Sequence, residues 1–373
     1  MRHSSRYLFV LGAVAAIAVL PGALMAAAPG SQSPADGHDL FLRNCAACHG
    51  EKLQGERKPV ELGFDLPLPD FTDCSFANRE ADTDWSSVIH RGGPRRGFAR
   101  QMPAWDQALS DDEINAILGY LRGQCADSGW PRGEFNLPLA MFTEKAFPED
   151  EAVSLTRFNA GGAAGFTTNA IYEKRFGPRG QLEINVPFTS QFDGTRMQSG
   201  LGDVALGWKQ NLLADVDSGT IFSLLGEVVL PTGNARKGLG SGVWRFETMA
   251  LFAQLLPGDF FLQGQVGSVF STGVGVPVEG EARFALGRTF AGDEGWGRSW
   301  TPQVELLASH EFARGGGVDW DLVPQLQVSL STRQHILFAV GGRLPLNDTA
   351  GRKPEVMFYL IWDWYDSGLL DGW

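Results

Sequence analysis

The stretch that decides the fold of the larger part of the chain is Gln181-Leu-Glu-Ile-Asn-Val-Pro-Phe188, where polar and apolar side chains alternate. Such alternation is typical of a β-strand with one polar and one apolar face. Eleven further runs of this texture follow or precede it, separated by clusters of Gly, Pro, Asn and Asp: 152–159, 166–176, 203–214, 219–230, 244–256, 260–270, 279–290, 300–313, 319–331, 334–345 and 355–365. This pattern predicts an antiparallel all-β domain.

Twelve strands and their flanking residues favour a transmembrane barrel over a soluble sandwich. Twelve is an even number, as bacterial outer-membrane barrels require, and the longer connections fall mostly on one side. Aromatic residues near the ends of the runs suit the two membrane interfaces: Trp208, Trp244, Trp300 and Trp320. A secreted β-sandwich would show the same period and stays the alternative.

The N-terminus predicts export across a membrane. Residues 1–28 combine a basic start, an apolar run and three small residues, as a signal peptide does, and 29–37 forms a flexible leader. No later run is long and apolar enough for a membrane helix, so a membrane role would rest on strands.

The length and the charge of the chain limit the kinds of function that it can have. The 373 residues suit two domains. The net charge of −12 argues against nucleic acid as a partner. Four cysteines are too few for a disulfide scaffold, and all lie before residue 126.

The motif Cys45-Ala-Ala-Cys48-His49 predicts one covalently attached haem c. The two thiols bind the haem vinyl groups, and His49 follows at once as the proximal iron ligand. A redox disulfide is the alternative. The sixth ligand is expected at Met102, which precedes a proline and would raise the potential, with His90 as the competing ligand.

The segment 38–125 resembles a class I cytochrome c, because a helix, C-x-x-C-H, a loop, M-P-x-W and a capped terminal helix follow in that order. The resemblance implies a small all-α domain with Cys45 and Cys48 holding the haem and His49 and Met102 on the iron. Cys74 and Cys125 depart from the pattern; one disulfide between them is expected in an exported domain, and free thiols are the alternative. Residues 126–150 are rich in proline and turn formers and are expected to be a linker.

Residues 151–373 resemble the outer-membrane barrel family named after the MetA pathway of phenol degradation, through Ser199-Gly-Leu-Gly-Asp-Val204 and Leu230-Pro-Thr-Gly233. The whole chain is similar to the fused cytochrome–porins. Its M-P-x-W differs from their haem segment, so oxidation of iron is not carried over.

The resemblance implies an electron-transfer protein of the outer membrane, with lipid around the barrel and the cytochrome on the periplasmic side or in the barrel mouth. Its expected partners are periplasmic electron carriers and an extracellular donor or acceptor. The alternative is a transport porin with the cytochrome as plug or separate relay. A haem enzyme is disfavoured, because two strong axial ligands leave no open iron position.

Overall fold

The computed structural model describes residues 36–55, 68–125, 129–161, 164–290, 299–313 and 316–364. The expected signal peptide and most of the leader lie outside these ranges. Among the described residues of the N-terminal domain there are five α-helices: α1 Gly37–Asn44, α2 Ala46–His49, α3 Cys74–Ala77, α4 Asp82–Arg91 and α5 Asp111–Gly123. In the described part of the chain no helix is long and apolar enough to cross a bilayer.

Helix α5 begins at the predicted capping box and supplies one wall of the small core. The Ser110 hydroxyl accepts a hydrogen bond from the Glu113 amide, and the Glu113 carboxylate accepts one from the Ser110 amide. The buried face of α5 packs on α1, where Leu40 and Phe41 are buried. Gly37 makes this crossing close, since a Cβ there would lie 2.0 Å from the Ala116 carbonyl oxygen.

A disulfide links the middle of the domain to the end of α5. Cys74, the first residue of α3, is bonded to Cys125 with their Cα atoms 5.4 Å apart. Cys45 and Cys48 are not part of a disulfide.

The C-terminal domain is a closed antiparallel barrel. Its strands are β1 Glu151–Asn159, β2 Gly165–Phe176, β3 Gly180–Phe192, β4 Met197–Leu201, β5 Ala205–Asp215, β6 Thr220–Val229, β7 Arg245–Leu256, β8 Phe260–Ser271, β9 Glu279–Arg288, β10 Trp300–Glu311, β11 Val318–Ser329, β12 Ile336–Pro345 and β13 Glu355–Asp363. Apart from β4, each strand pairs with the next along the chain, so that β3 pairs with β5. β1 pairs with β13, which closes a ring of twelve. The short β4 only extends the end of β3 and was not predicted.

The two faces of the barrel differ as the alternation predicts. Every strand of the ring exposes large apolar side chains on its outer face, for example Phe158, Tyr172, Phe188, Leu206, Leu224, Phe246, Val266, Leu286, Val304, Leu326, Val340 and Phe358. The four tryptophans expected at the interfaces are also exposed. A closed barrel with an apolar belt satisfies every strand edge and suits a lipid bilayer.

The segment expected to be a linker also fills the barrel. It enters at the end where β1 begins and β13 ends, which we call the terminal mouth, and returns to the same mouth at Glu151. Phe135 and Phe147 pack against inward residues of β6–β8, and Met141 packs against those of β10–β13. We call residues 135–150 the plug.

The plug has almost no regular structure, so lumenal side chains satisfy its backbone. Glu305, near the middle of β10, accepts hydrogen bonds from the amides of Met141, Phe142 and Thr143 at 2.7, 3.1 and 2.9 Å. Further lumenal partners are Gln181, Ser223, Gln263, Gln265 and Tyr359. These pairs keep the buried peptide groups of the plug hydrogen-bonded.

The two motifs that resemble the MetA-pathway barrels meet at the opposite, far mouth. The Asp203 carboxylate accepts hydrogen bonds from the Gly233 amide at 2.9 Å and the Ser241 amide at 2.6 Å. We call these contacts the loop latch, because they hold the connection 230–244 against the start of β5.

Candidate functional site

The two cysteines and the histidine of the motif lie on one turn of backbone. Cys45 separates α1 from α2, and its carbonyl accepts hydrogen bonds from the amides of Cys48 at 3.1 Å and His49 at 3.0 Å. This turn faces the domain core, where Cys45 packs against buried apolar residues. Burial, together with the neighbouring Cys48, raises the pKa of the Cys45 thiol to about 11.

His49 is half-buried, and one of its ring nitrogens has no hydrogen-bond partner among the described residues. The ring packs against Phe71 with centroids 5.3 Å apart, and Nδ1 has no hydrogen-bond partner among the described residues. Burial lowers the pKa of His49 to about 4, so the imidazole is neutral at pH 7. Neutral imidazole is the form that binds metal ions.

Met102 is held against the same core by a loop that two glycines allow to approach closely. The Gly93 amide donates to the Met102 carbonyl at 3.0 Å, and a Cβ on Gly93 would lie 2.4 Å from the Ala99 carbonyl oxygen. Gly92 has φ of +82°, which favours glycine. The Met102 side chain packs on the cluster that also contacts Cys45.

His90, the competing ligand, lies at the C-terminal end of α4. Its Nε2 is 3.8 Å from an Asp111 carboxylate oxygen at the start of α5. That contact gives the imidazole a surface partner, whereas Met102 packs against the core.

These residues fit a c-type haem. Two thiols one turn apart, a half-buried neutral imidazole with an unpartnered nitrogen and a thioether packed on the same core form the donor set that such a group needs.

The loop that carries Met102 docks on the terminal mouth of the barrel. The Arg333 guanidinium, in the turn between β11 and β12, lies 4.8 Å from the ring centre of Phe98 and donates to the Gly97 carbonyl at 3.4 Å. Phe98 and Met102 both adjoin Gly93. The candidate ligand loop is therefore in direct contact with the barrel.

Ion pairs fix the rest of this interface. Arg79 pairs at 3.4 Å with Asp150, a buried residue of the plug that also accepts from Lys174 on β2. Asp82, at the start of α4, accepts hydrogen bonds from Arg122 at 2.6 Å and from Arg132 at 2.9 Å. Helix, plug and barrel are thus tied together around the mouth.

Sequence reasoning did not identify the plug or the docking contacts. The sequence signal for the plug was the set of inward-facing glutamines on the strands. Their amide groups can hydrogen-bond to the backbone of a segment inside the lumen. The pairing of Glu305 with a segment about 160 residues earlier in the chain has no local signature.

Comparison with known proteins divides the chain at the same place as the structure. The family model described as cytochrome C oxidase, cbb3-type, subunit III matches residues 32–121. The model described as putative MetA-pathway of phenol degradation matches residues 145–352, more than half of the chain.

Individual relatives agree with this division. Chloroplastic cytochrome c6 of Chlamydomonas reinhardtii is 33% identical over 121 residues, which are 31% of this chain and 72% of that protein. Cytochrome c6 of Cladophora glomerata is 30% identical over 96 residues, 26% of this chain and 93% of the relative. Among solved structures, an outer membrane channel of Pseudomonas putida F1 aligns over 61% of this chain and 99% of its own, with 12% identity and a TM-score of 0.42.

Proposed function

We propose, on the premise that the chain belongs to the family of the MetA-pathway of phenol degradation and that its N-terminal domain belongs to the c-type cytochromes, that it transfers electrons at the outer membrane. It passes single electrons between periplasmic carriers and a donor or acceptor on the outer side. The terminal mouth faces the periplasm, because both ends of an even-stranded barrel lie there.

The cytochrome c relatives imply a haem c cofactor. We propose one haem per chain, attached through Cys45 and Cys48, with His49 and Met102 on the iron. Bound there, the haem supplies one-electron exchange between ferric and ferrous iron. The chain's own residues orient it: the α1–α2 turn positions the thiols and His49, and Gly92 and Gly93 position the Met102 loop.

The observation that carries the proposal is the contact between the Met102 loop and the barrel. Arg333 reaches Gly97 and Phe98, so the proposed sixth-ligand side of the haem pocket abuts the terminal mouth. A cytochrome that was merely tethered would need no such contact. The docked position suits exchange of electrons through the mouth.

The plug favours electron transfer over solute transport. Phe135, Met141 and Phe147 are almost completely buried between opposite walls of the lumen. A bilayer core is about 30 Å thick, and the plug reaches Glu305 near mid-barrel. A small redox-active donor or acceptor therefore enters the far half of the lumen and exchanges electrons across the plug.

The test is a protein-containing liposome with an impermeant oxidant outside. Protease digestion first identifies the fraction of molecules whose cytochrome domain faces inward. We expect that inward, pre-reduced haem is oxidised by external ferricyanide. A soluble cytochrome c trapped in liposomes that lack the protein should stay reduced. Inward haem that stays reduced contradicts the proposal.

The same liposomes test the transport alternative. We expect no swelling in sugars or amino acids, because the plug closes the lumen. Rapid swelling together with inward haem that stays reduced would support a porin with a tethered cytochrome instead.

A further inference from the structure

Three carboxylates from different elements meet inside the barrel, away from the haem pocket. Glu144 belongs to the tip of the plug, while Glu173 on β2 and Glu183 on β3 are directly paired across the sheet. One oxygen of each lies within 4.8 Å of the others. We call these residues the lumenal triad.

Two members of the triad are buried without a partner. Glu173 and Glu183 are each only 4% exposed, and the Oε2 atom of each has no hydrogen-bond partner in the described part of the chain. No ion pair to either residue occurs among the described side chains. The nearby Lys209, 1% exposed, instead donates from Nζ to Gln181 at 3.3 Å. Lys209 lies close enough to interact electrostatically with all three carboxylates, but it brings one positive charge to three acids. Buried carboxylates without hydrogen-bond partners are unfavourable, so a further positive charge would stabilise this site.

A second acidic cluster at the terminal mouth shows how the chain neutralises such groups by itself. Glu149, Glu151 and Asp363 also lie within 4.8 Å of one another. The Lys145 ammonium lies between them, 2.8 Å from Glu149 and 3.0 Å from Glu151. Among the described residues no lysine makes an equivalent ion pair with the lumenal triad. The cluster at the mouth is therefore an internal ion-pair network, whereas the lumenal triad is a candidate ligand site.

We infer that the lumenal triad binds a divalent cation of the size of Ca²⁺, which links the plug to the β2–β3 wall. Hard cations prefer oxygen ligands. Ca²⁺ binds oxygens at about 2.3–2.6 Å, so two ligands on opposite sides of the ion are about 5 Å apart. The three carboxylate oxygens all lie within 4.8 Å of one another, close enough to share one such ion. The site is separate from the haem and does not depend on electron transfer.

The experiment is calorimetric titration of the full-length haem-loaded protein in detergent with CaCl2, after removal of metals with EDTA. We expect one Ca²⁺ per chain at the triad. Glu173→Gln with Glu183→Gln should weaken this binding at least about 10-fold, since even residues that only support metal ligands contribute about 10- to 100-fold to affinity.

Two control variants separate the triad from general charge effects. Glu247→Gln removes another lumenal carboxylate that is outside the triad, and Asp39→Asn removes one from the exposed group Asp36, His38 and Asp39. Both should bind Ca²⁺ as the unchanged protein does. If either control loses the binding while the double variant keeps it, the inference is wrong.

Folding of each variant is judged by the shift in electrophoretic migration that the folded, unboiled barrel shows. A third variant is used if the double variant fails to fold. Glu144→Gln changes only the plug tip and should also weaken Ca²⁺ binding at least about 10-fold. Absence of stoichiometric Ca²⁺ binding to the unchanged protein overturns the inference, as does unaltered binding to Glu144→Gln.

Discussion

The Glu305 carboxylate of β10 accepts a hydrogen bond of 2.7 Å from the backbone amide of Met141, at the tip of a segment that has entered the barrel from its mouth. The same carboxylate accepts from Phe142 and Thr143, and Gln325 donates to it at 2.7 Å. One lumenal side chain therefore holds three consecutive peptide groups of the plug.

Replacing Glu305 with alanine should release the plug and open the lumen. Three amides would lose their acceptor, at about 1–3 kcal/mol each while they stay buried. We expect planar bilayers with the unchanged protein to carry almost no current, and the Glu305→Ala variant to show stepwise conductance at least about tenfold higher.

Glu311→Ala is the matched control for this change, because Glu311 is an exposed acid at the end of the same strand. The Glu311→Ala variant should carry almost no current. If the Glu305→Ala barrel conducts as little as the unchanged protein, the hydrogen bonds of Glu305 do not retain the plug.

Met102→Ala should remove the sixth iron ligand. The weak near-infrared absorption band of methionine-ligated ferric haem should vanish, and the reduction potential should fall because a thioether ligand favours the ferrous state. His90→Ala is the control and should keep both the band and the potential, since His90 contacts Asp111 at the surface. If only His90→Ala changes the low-spin spectrum, the ligand assignment is wrong.

Removing the disulfide should destabilise the cytochrome domain. Cys74 and Cys125 are 51 residues apart, and closing a loop of that length contributes about 4 kcal/mol in the chain-entropy model. Cys74→Ser with Cys125→Ser should therefore lower the thermal midpoint of haem-band unfolding by more than about 10 °C. A shift of less than 2 °C would contradict this role for the disulfide.

The loop latch should depend on the charge of Asp203. Burial opposes ionisation of Asp203, but hydrogen bonds from Ser241 and Gly233 outweigh it and lower the pKa of the carboxyl below its ordinary value. Because the pKa of Asp203 is lower in the folded state, the ionised carboxylate stabilises the latch at pH values above its unfolded-state pKa of about 3.9. This stability is lost as the pH falls through the folded-state pKa.

Hydrogen–deuterium exchange of residues 230–244, corrected for the intrinsic effect of pH, checks this. We expect protection at pH 7 that persists to about pH 4, and we expect Asp203→Asn to be less protected throughout this range. Asp193→Asn is the control, because Asp193 makes the same kind of contacts within its own turn, to Thr195 and Arg196. Unchanged exchange in Asp203→Asn would refute the latch.

The alternation of side chains was enough to predict the barrel, because the period of two reports directly on which face of a strand meets lipid. Residues such as Leu182 and Glu183 lie as expected, one outward and one in the lumen. The capping box of Ser110 and Glu113 likewise predicted where α5 begins. These are local signals, which a single sequence carries.

The plug could not be predicted in the same way. Its residues lack a period because their backbone is satisfied by side chains far away in the chain, such as Gln263 for the carbonyl of Pro138. The contact of Arg333 with Phe98 joins residues of different domains. Such relationships depend on how the barrel closes, which alternation does not encode.

The central claim is that the docked haem exchanges electrons with the outer side of an intact outer membrane. The most direct measurement is the haem absorption spectrum of whole cells that express the protein, after addition of an impermeant extracellular reductant. As a control, cells that express a soluble periplasmic cytochrome c instead show whether the reductant leaks through the outer membrane. The account predicts rapid haem reduction in intact cells, at a rate that changes little when the outer membrane is permeabilised. Haem that stays oxidised in intact cells and is reduced only after permeabilisation would contradict it.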